Sequence, residues 1–185
     1  MSKGKLFVVS GASGVGKSTV LKHLMAQRSN LLFSVSATTR QARPGEVEGV
    51  HYYFITQEQF QEMIQKDAFL EYDAHAANYY GTPLDQLEEK LSRGDVILDV
   101  EPAGAKIVKQ KRPEAVLIFV MPPSVEELER RLRSRGDTSE DQIALRMERA
   151  KWEMAQRCWY DHVVVNDVLE DCVNEMAAII GPENV

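Results

Sequence analysis

Leu6-Phe7-Val8-Val9-Ser10-Gly11-Ala12-Ser13-Gly14-Val15-Gly16-Lys17-Ser18-Thr19-Val20-Leu21 runs from an apolar stretch, through a glycine-rich octet, into a helix-forming segment. The octet Gly11–Ser18 fits G-x-x-x-x-G-K-[ST]. Its glycines permit unusual backbone angles and let the amides of Ala12, Ser13, Gly14, Val15 and Gly16 approach phosphate oxygens closely. The following helix aims unpaired N–H groups and the positive end of its dipole at the same anion. Lys17 can reach the β- and γ-phosphates, the Ser18 hydroxyl can coordinate Mg²⁺, and Thr19 can add a hydroxyl contact. A bare glycine-rich turn is the competing reading. The strand before the octet and the helix Lys17–Gln27 after it favour a cradle for a nucleoside triphosphate.

Outward from the octet, apolar runs recur at Val96–Val100, Val116–Met121 and His162–Asn166. They are continuously apolar rather than alternating, as strands of a parallel sheet are when helices cover both faces. Helical stretches are expected at Pro83–Arg93, Ser124–Ser134, Ser139–Gln156 and Leu169–Ile180. Gly94 is expected to end the first of these, and Ser124 with Glu127 suggests a capping box. Alternating strand and helix predicts an α/β fold, a P-loop NTPase core whose parallel sheet is flanked by helices. Ile97-Leu98-Asp99 ends an apolar strand on a carboxylate, which beside a P-loop reads as a Walker-B strand with Asp99 near Mg²⁺ or its water ligands.

The chain of 185 residues is 44% hydrophobic and 27% charged, enough for one core without disulfides or a structural metal. Cys158 and Cys172 lie in no metal-ligand spacing, so a reduced intracellular, cytoplasmic setting is expected. No signal peptide or membrane-spanning run is expected. The net charge of −6 argues against nucleic acid and anionic membranes as partners.

Two segments break the rhythm. Ser34–Thr82 is rich in Tyr, Gly, Arg and Thr, with one clear helix at Gln57–Lys66. Arg135–Arg149 is charged. Inserts of this kind carry binding or closing functions on a rigid sheet, or are surface decoration. In the first, Arg40 and Arg43 can fork phosphate oxygens, and Tyr52, Tyr79 and Tyr80 can donate to phosphate or stack on a base. A buried Glu71 would accept from guanine N1 and N2, whereas adenine N1 is itself an acceptor. Taken singly, the tyrosines could be core aromatics, the arginines solvated charge and Glu71 a strand-end carboxylate.

The order G-A-S-G-V-G-K-S-T, S-A-T-T-R-x-x-R-P-G-E, G-V-H-Y-Y-F, F-L-E, N-Y-Y-G-T and V-V-N-D closely resembles the guanylate kinase family, from about Leu6 to Ile180. The resemblance implies one domain with a core (1–33, 84–123 and 151–185), a small mixed α/β GMP-binding lobe (34–83) and a helical lid (124–150). It implies ATP, Mg²⁺ and GMP or dGMP as ligands, in a monomer or homodimer with no obligatory protein partner. Residues matching Arg40, Arg43, Tyr52 and Tyr80 would hold the GMP phosphate. Those matching Ser36, Glu71, Thr82 and Glu101 would read guanine. Lys17, Arg131, Arg135 and Arg146 would serve the transferring phosphoryl group, and Asn166 would lie near adenine. Arg130, Arg133 and Arg149 are expected to be solvated helix charges paired with neighbouring glutamates.

The chain departs from the family's D-x-D-x-Q-G-A at Asp99-Val100-Glu101-Pro102-Ala103-Gly104-Ala105. Glu101 is one methylene longer, Pro102 removes a donor and stiffens what reads as a turn, and Ala103 replaces an amide. Leu145 and Val168 also depart from common family residues. Two other readings stay open, a non-catalytic peptide-binding scaffold and a kinase for a different phosphorylated acceptor.

Overall fold

The computed structural model describes residues 3–75, 77–134 and 139–182. Five parallel strands form the main sheet: β1 (Leu6–Gly11), β2 (Leu32–Phe33), β7 (Val96–Asp99), β8 (Val116–Met121) and β9 (His162–Val165). Their order is β2-β7-β1-β8-β9. A second, four-stranded sheet is built from β3 (Ala37–Thr38), β4 (Tyr53–Phe54), β5 (Phe69–His75) and β6 (Asn78–Pro83), in the order β4-β3-β6-β5. The helices are α1 (Lys17–Gln27), α2 (Gln57–Gln65), α3 (Leu84–Arg93), α4 (Pro102–Lys111), α5 (Val125–Arg133), α6 (Glu140–Ala155) and α7 (Leu169–Ile180). Among the described residues no helix is long and apolar enough to cross a membrane.

The continuous apolar runs serve two faces at once. Phe7, Val9, Ile97, Ile118 and Val120 point into a core shared with α1, α5, α6 and α7. Their neighbours Leu6, Val8, Val96, Leu98, Leu117 and Phe119 point into a second core, under α3 and α4. Each such burial stabilises by about 1.5–3 kcal/mol relative to exposure. A smaller cluster of Ala37, Phe60 and Phe69 joins α2 to the second sheet, with Phe60 stacked on Phe69 at 4.4 Å.

Strand β1 is flanked by β7 and β8, and the chain reaches β8 from β7 by crossing over it. Ligands of open α/β sheets bind at the carboxyl ends of strands where the order reverses in this way. The pairing Val9↔Asp99 sets the end of β7 beside the start of the glycine-rich loop.

Several local expectations meet a different structure. Helix α4 begins where the sequence reads as a stiff turn. Pro102 occupies its first turn, where the missing N–H has no helical acceptor to lose and the fixed φ suits the helix. The Ser124 hydroxyl accepts the Glu127 N–H, but the Glu127 carboxylate turns to Arg130 and Arg131. A complete capping box forms instead at α2, between Thr56 and Gln59. The edge strand β2 has two residues, too short to show a period. Cys158 is exposed and Cys172 buried, and both are free thiols.

Candidate active site

The loop Gly11–Ser18 leaves β1 and enters α1 through Gly14 (φ 87°) and Gly16 (φ 94°). These are left-handed angles that favour glycine. At Gly14 an added Cβ would also lie 2.5 Å from Leu132 Cδ2, so α5 sits directly over the loop.

Side chains anchor the loop from two directions. Asn166 Nδ2 donates to the Val15 carbonyl at 2.8 Å. Arg131 donates to the Asn166 carbonyl at 2.9 Å, and more weakly to Val15, while Glu127 holds its Nε. Two arginines keep the Glu127 carboxyl at a pKa of about 2. Arg131 and Asn166 thus brace the loop at Val15 and are not among the residues that line the cavity on its donor side. On the other side Glu153, which sequence reasoning missed, accepts the Ser13 N–H at 2.7 Å.

That donor-side cavity measures about 610 Å³ and is lined by Gly11–Thr19 together with Glu101, Leu145, Arg146, Arg149 and Glu153. Arg146 forms no ion pair with a described residue. Arg149 corrects the expectation of a solvated helix charge. Its guanidinium meets Glu101 Oε2 at 2.5 Å and Glu153 Oε1 at 3.0 Å. Arg130 and Arg133 do pair with Glu127 and Glu129 on their own helix. Arg135 lies outside the described residues. Lys17 pairs with Asp99 at the mouth of the loop.

A second cavity of about 380 Å³ lies between the two sheets. Lys17, Ser18, Asp99 and Glu101 form its edge toward the loop, and Ser36, Tyr52, Glu71, Asp73 and Tyr80 line the rest. The pairing of β5 with β6 shifts register between Phe69 and Tyr72, and Glu71 falls in that irregularity. Bulges beside functional sites re-aim side chains in this way. Glu71 is only 6% exposed, and Thr82 Oγ1 donates to it at 2.6 Å. Burial pushes its carboxyl above the ordinary range, against the Thr82 hydrogen bond. Gly104 on α4 leaves the room: a Cβ there would lie 2.9 Å from Glu71 Oε2. Thr82 is fully buried and reaches the cavity only through Glu71.

Beside this cavity Arg40 is locked in place. Both ends of its guanidinium donate to Glu46, at 2.9 and 2.8 Å, and Glu46 also accepts the Arg43 N–H at 2.7 Å. The pair raises the already high pKa of Arg40 and lowers that of Glu46 to about 2. Arg40 lies 5.4 Å from the centre of the Tyr52 ring, which meets Tyr80 edge-on at 6.0 Å. Arg43 is exposed. Sequence reasoning left Glu46 without a role, and its place three residues after Arg43 was the available signal. Asp73 and Gly104 carried none, because their meaning depends on the pairing of β5 and the packing of α4.

Two cavities that meet at Lys17, Ser18 and Glu101 suit two ligands, one seated on backbone amides and one facing a buried carboxylate. The guanylate kinase family model matches residues 3–183. A guanylate kinase from Carboxydothermus hydrogenoformans is 48% identical over 186 residues, covering 100% of this chain and 91% of that protein. One from Thermus thermophilus is 50% identical, covering 98% and 82%. The crystal structure of guanylate kinase from Anaplasma phagocytophilum superimposes with a TM-score of 0.77 at 31% identity, over 97% of this chain and 86% of that one. The chain therefore belongs to the guanylate kinase family, a family of nucleoside monophosphate kinases.

Proposed function

We propose that the protein transfers the γ-phosphoryl group of ATP to GMP or dGMP, giving ADP and GDP or dGDP. The observation that carries this reading is the junction of the two cavities at Lys17 and Ser18, with buried Glu71 facing the acceptor side. ATP lies along Gly11–Thr19, with Asn166 toward the adenine side. GMP lies with its base at Ser36, Glu71 and Glu101, and its phosphate at Arg40, Arg43, Tyr52 and Tyr80.

An oxygen of the GMP phosphate attacks the γ-phosphorus in line, and the bond from that phosphorus to the β,γ-bridging oxygen breaks, leaving ADP. No general base is required, because a phosphate monoester is already largely ionised at neutral pH. Lys17 and Arg146, together with Arg135, place positive charge around the moving group, and Arg131 acts through the loop it braces at Val15. Ser18 would hold Mg²⁺ directly and Asp99 through water. One hydroxyl and one carboxylate suit a hard cation that keeps waters and phosphate oxygens as its other ligands. When bound, the ion neutralises charge on the β- and γ-oxygens.

The segment 124–150 closes over the donor cavity and the lobe 34–83 over the acceptor, excluding water from the core of 1–33, 84–123 and 151–185. The free thiols fit a cytoplasmic enzyme. A coupled ADP-release assay with ATP, Mg²⁺ and GMP, dGMP, AMP, UMP or CMP in turn tests the reading. Rapid ADP release is expected with GMP and dGMP only. Silence with GMP would indicate a scaffold, and equal rates with AMP would remove guanine reading from Glu71.

A further inference from the structure

Glu153 is a carboxylate on α6 that is 3% exposed and that the reaction as described does not use. One of its oxygens accepts the Ser13 N–H of the donor loop at 2.7 Å. The other accepts Arg149 Nε at 3.0 Å. The far end of the same guanidinium meets Glu101 Oε2 at 2.5 Å. Glu101 immediately precedes α4, without a side-chain bond to that helix, and lines both cavities. Carboxylate, guanidinium and carboxylate therefore run in one line from the backbone of the donor loop to the rim of the acceptor pocket.

Arg149 lines the donor cavity as well, so it stands within reach of three competing anions: Glu153, Glu101 and an incoming triphosphate. Glu153 is fixed by the loop amide and the surrounding core. Glu101 is about half exposed and is held only by Arg149 among the described residues. A triphosphate carries more charge than one carboxylate, and a guanidinium fork matches phosphate oxygens at least as well. The contact to Glu101 is therefore the one that yields. Conversely, a Glu101 carboxylate that turns to donors on an acceptor base leaves one side of the guanidinium unpaired beside the donor cavity.

We propose that Arg149 is a positioning residue that couples the two nucleotide sites. In the structure it ties Glu101 to Glu153. With ATP bound it moves to the triphosphate and releases Glu101 to the acceptor base, so that each nucleotide tightens the other. This rests on the reading of Glu101 as a contact to the acceptor base. Coupling of this kind is reciprocal: ATP must gain from GMP the same factor that GMP gains from ATP.

The test is a calorimetric titration of GMP into the intact protein, with and without a saturating non-hydrolysable ATP analogue and Mg²⁺. It is run on the wild type, Arg149→Ala, Arg149→Lys and Glu101→Gln. In the wild type the analogue is expected to tighten GMP about fivefold or more. In Arg149→Ala the factor should fall to near one, with GMP alone binding at least as tightly as to the wild type, because Glu101 starts free. Arg149→Lys keeps the charge without the fork and should recover part of the factor. An undiminished factor in Arg149→Ala overturns the proposal, whether or not the melting temperature drops, since a merely structural arginine would lower stability and leave the ratio alone. Unchanged GMP affinity in Glu101→Gln would instead remove Glu101 from base contact, a failure of the underlying reading that the Arg149 ratio does not mimic.

Discussion

The donor cavity and the acceptor cavity share Lys17, Ser18 and Glu101 yet are made of different material. The donor side is backbone. One loop of eight residues, two left-handed glycines and the start of α1 supply it, and side chains such as Asn166, Arg131 and Glu153 only brace it. The acceptor side is side chains, drawn from β5, β6, α4 and the loop that follows β3. A backbone cradle binds polyphosphate whatever base is attached. A side-chain pocket with a buried carboxylate discriminates, because a mismatched base leaves that carboxylate without a donor. The division teaches which substitutions cost rate and which cost selectivity.

The largest effect is expected on the donor side. Lys17 is paired with Asp99 in this structure and supplies the charge that backbone amides lack. Lys17→Ala should lower kcat by about 10³-fold, the scale of losing a key electrostatic contact to the transition state. It should do so with GMP and dGMP alike, measured by coupled ADP release. Unchanged turnover would show that the cradle works without its side chain and would break the contrast.

Glu71→Gln comes next and should act on selectivity. The glutamine can still accept from Thr82, but its amide then faces the donors of guanine. kcat/KM for GMP should fall about 10²-fold while the KM for ATP stays put. The pH profile gives a second reading. Burial raises the Glu71 carboxyl above its ordinary 4.5, so the folded protein holds this proton more tightly than the unfolded chain does. The nucleotide-free protein therefore loses stability as pH rises from 4.5 through the raised value, and GMP binding is lost as pH falls through it. Both pH effects should vanish in Glu71→Gln. An acid limb of kcat/KM that survives the substitution would assign it to another group.

Glu46→Gln should produce a smaller loss, about tenfold in KM for GMP, because Arg40 keeps its charge but loses the carboxylate that aims it. Glu46 titrates near pH 2 in the folded protein. Its depressed value stabilises the fold above the ordinary carboxylate range, and that contribution declines as pH falls from 4.5 toward about 2, below the limb expected from Glu71. Wild-type and Glu46→Gln profiles should thus keep the same shape between pH 4 and 7 and differ in height alone.

The same contrast explains how far the sequence could be read. The donor loop is contiguous, and strand, octet and helix follow one another, so Gly11–Ser18 and the ends of α1 and α7 were legible from spacing. The acceptor residues could be named singly from their chemistry, but only the family pattern joined them into one site. Nothing in the order of residues states that Glu71 sits in a register shift, that Gly104 makes room for it, or that Glu46 aims Arg40. Pro102 misled because proline breaks helices in their interior yet suits their first turn, and one sequence cannot tell the two apart without knowing where the helix begins. Arg149 misled for a related reason. Its spacing four residues before Glu153 is that of a surface pair, but α6 turns that face toward the donor loop and buries the glutamate.

The smallest effect tests whether the acceptor lobe can be loosened without touching the donor loop. Thr56 caps α2, accepting the Gln59 N–H at 3.2 Å while Gln59 returns a bond to the Thr56 N–H at 2.8 Å. Through Phe60, α2 packs on Phe69 and Tyr79 of the second sheet. Thr56→Ala removes the cap and should cost about 1 kcal/mol of stability by chemical denaturation. If the lobe and the core unfold as one unit, the melting curve shifts whole and both KM values hold. If the lobe opens by itself, the lost cap appears as a modest rise in KM for GMP with KM for ATP unchanged, since only the side-chain pocket depends on α2. A rise in KM for ATP instead would show that the backbone cradle leans on the second sheet, and the two cavities would then be less independent than their construction implies.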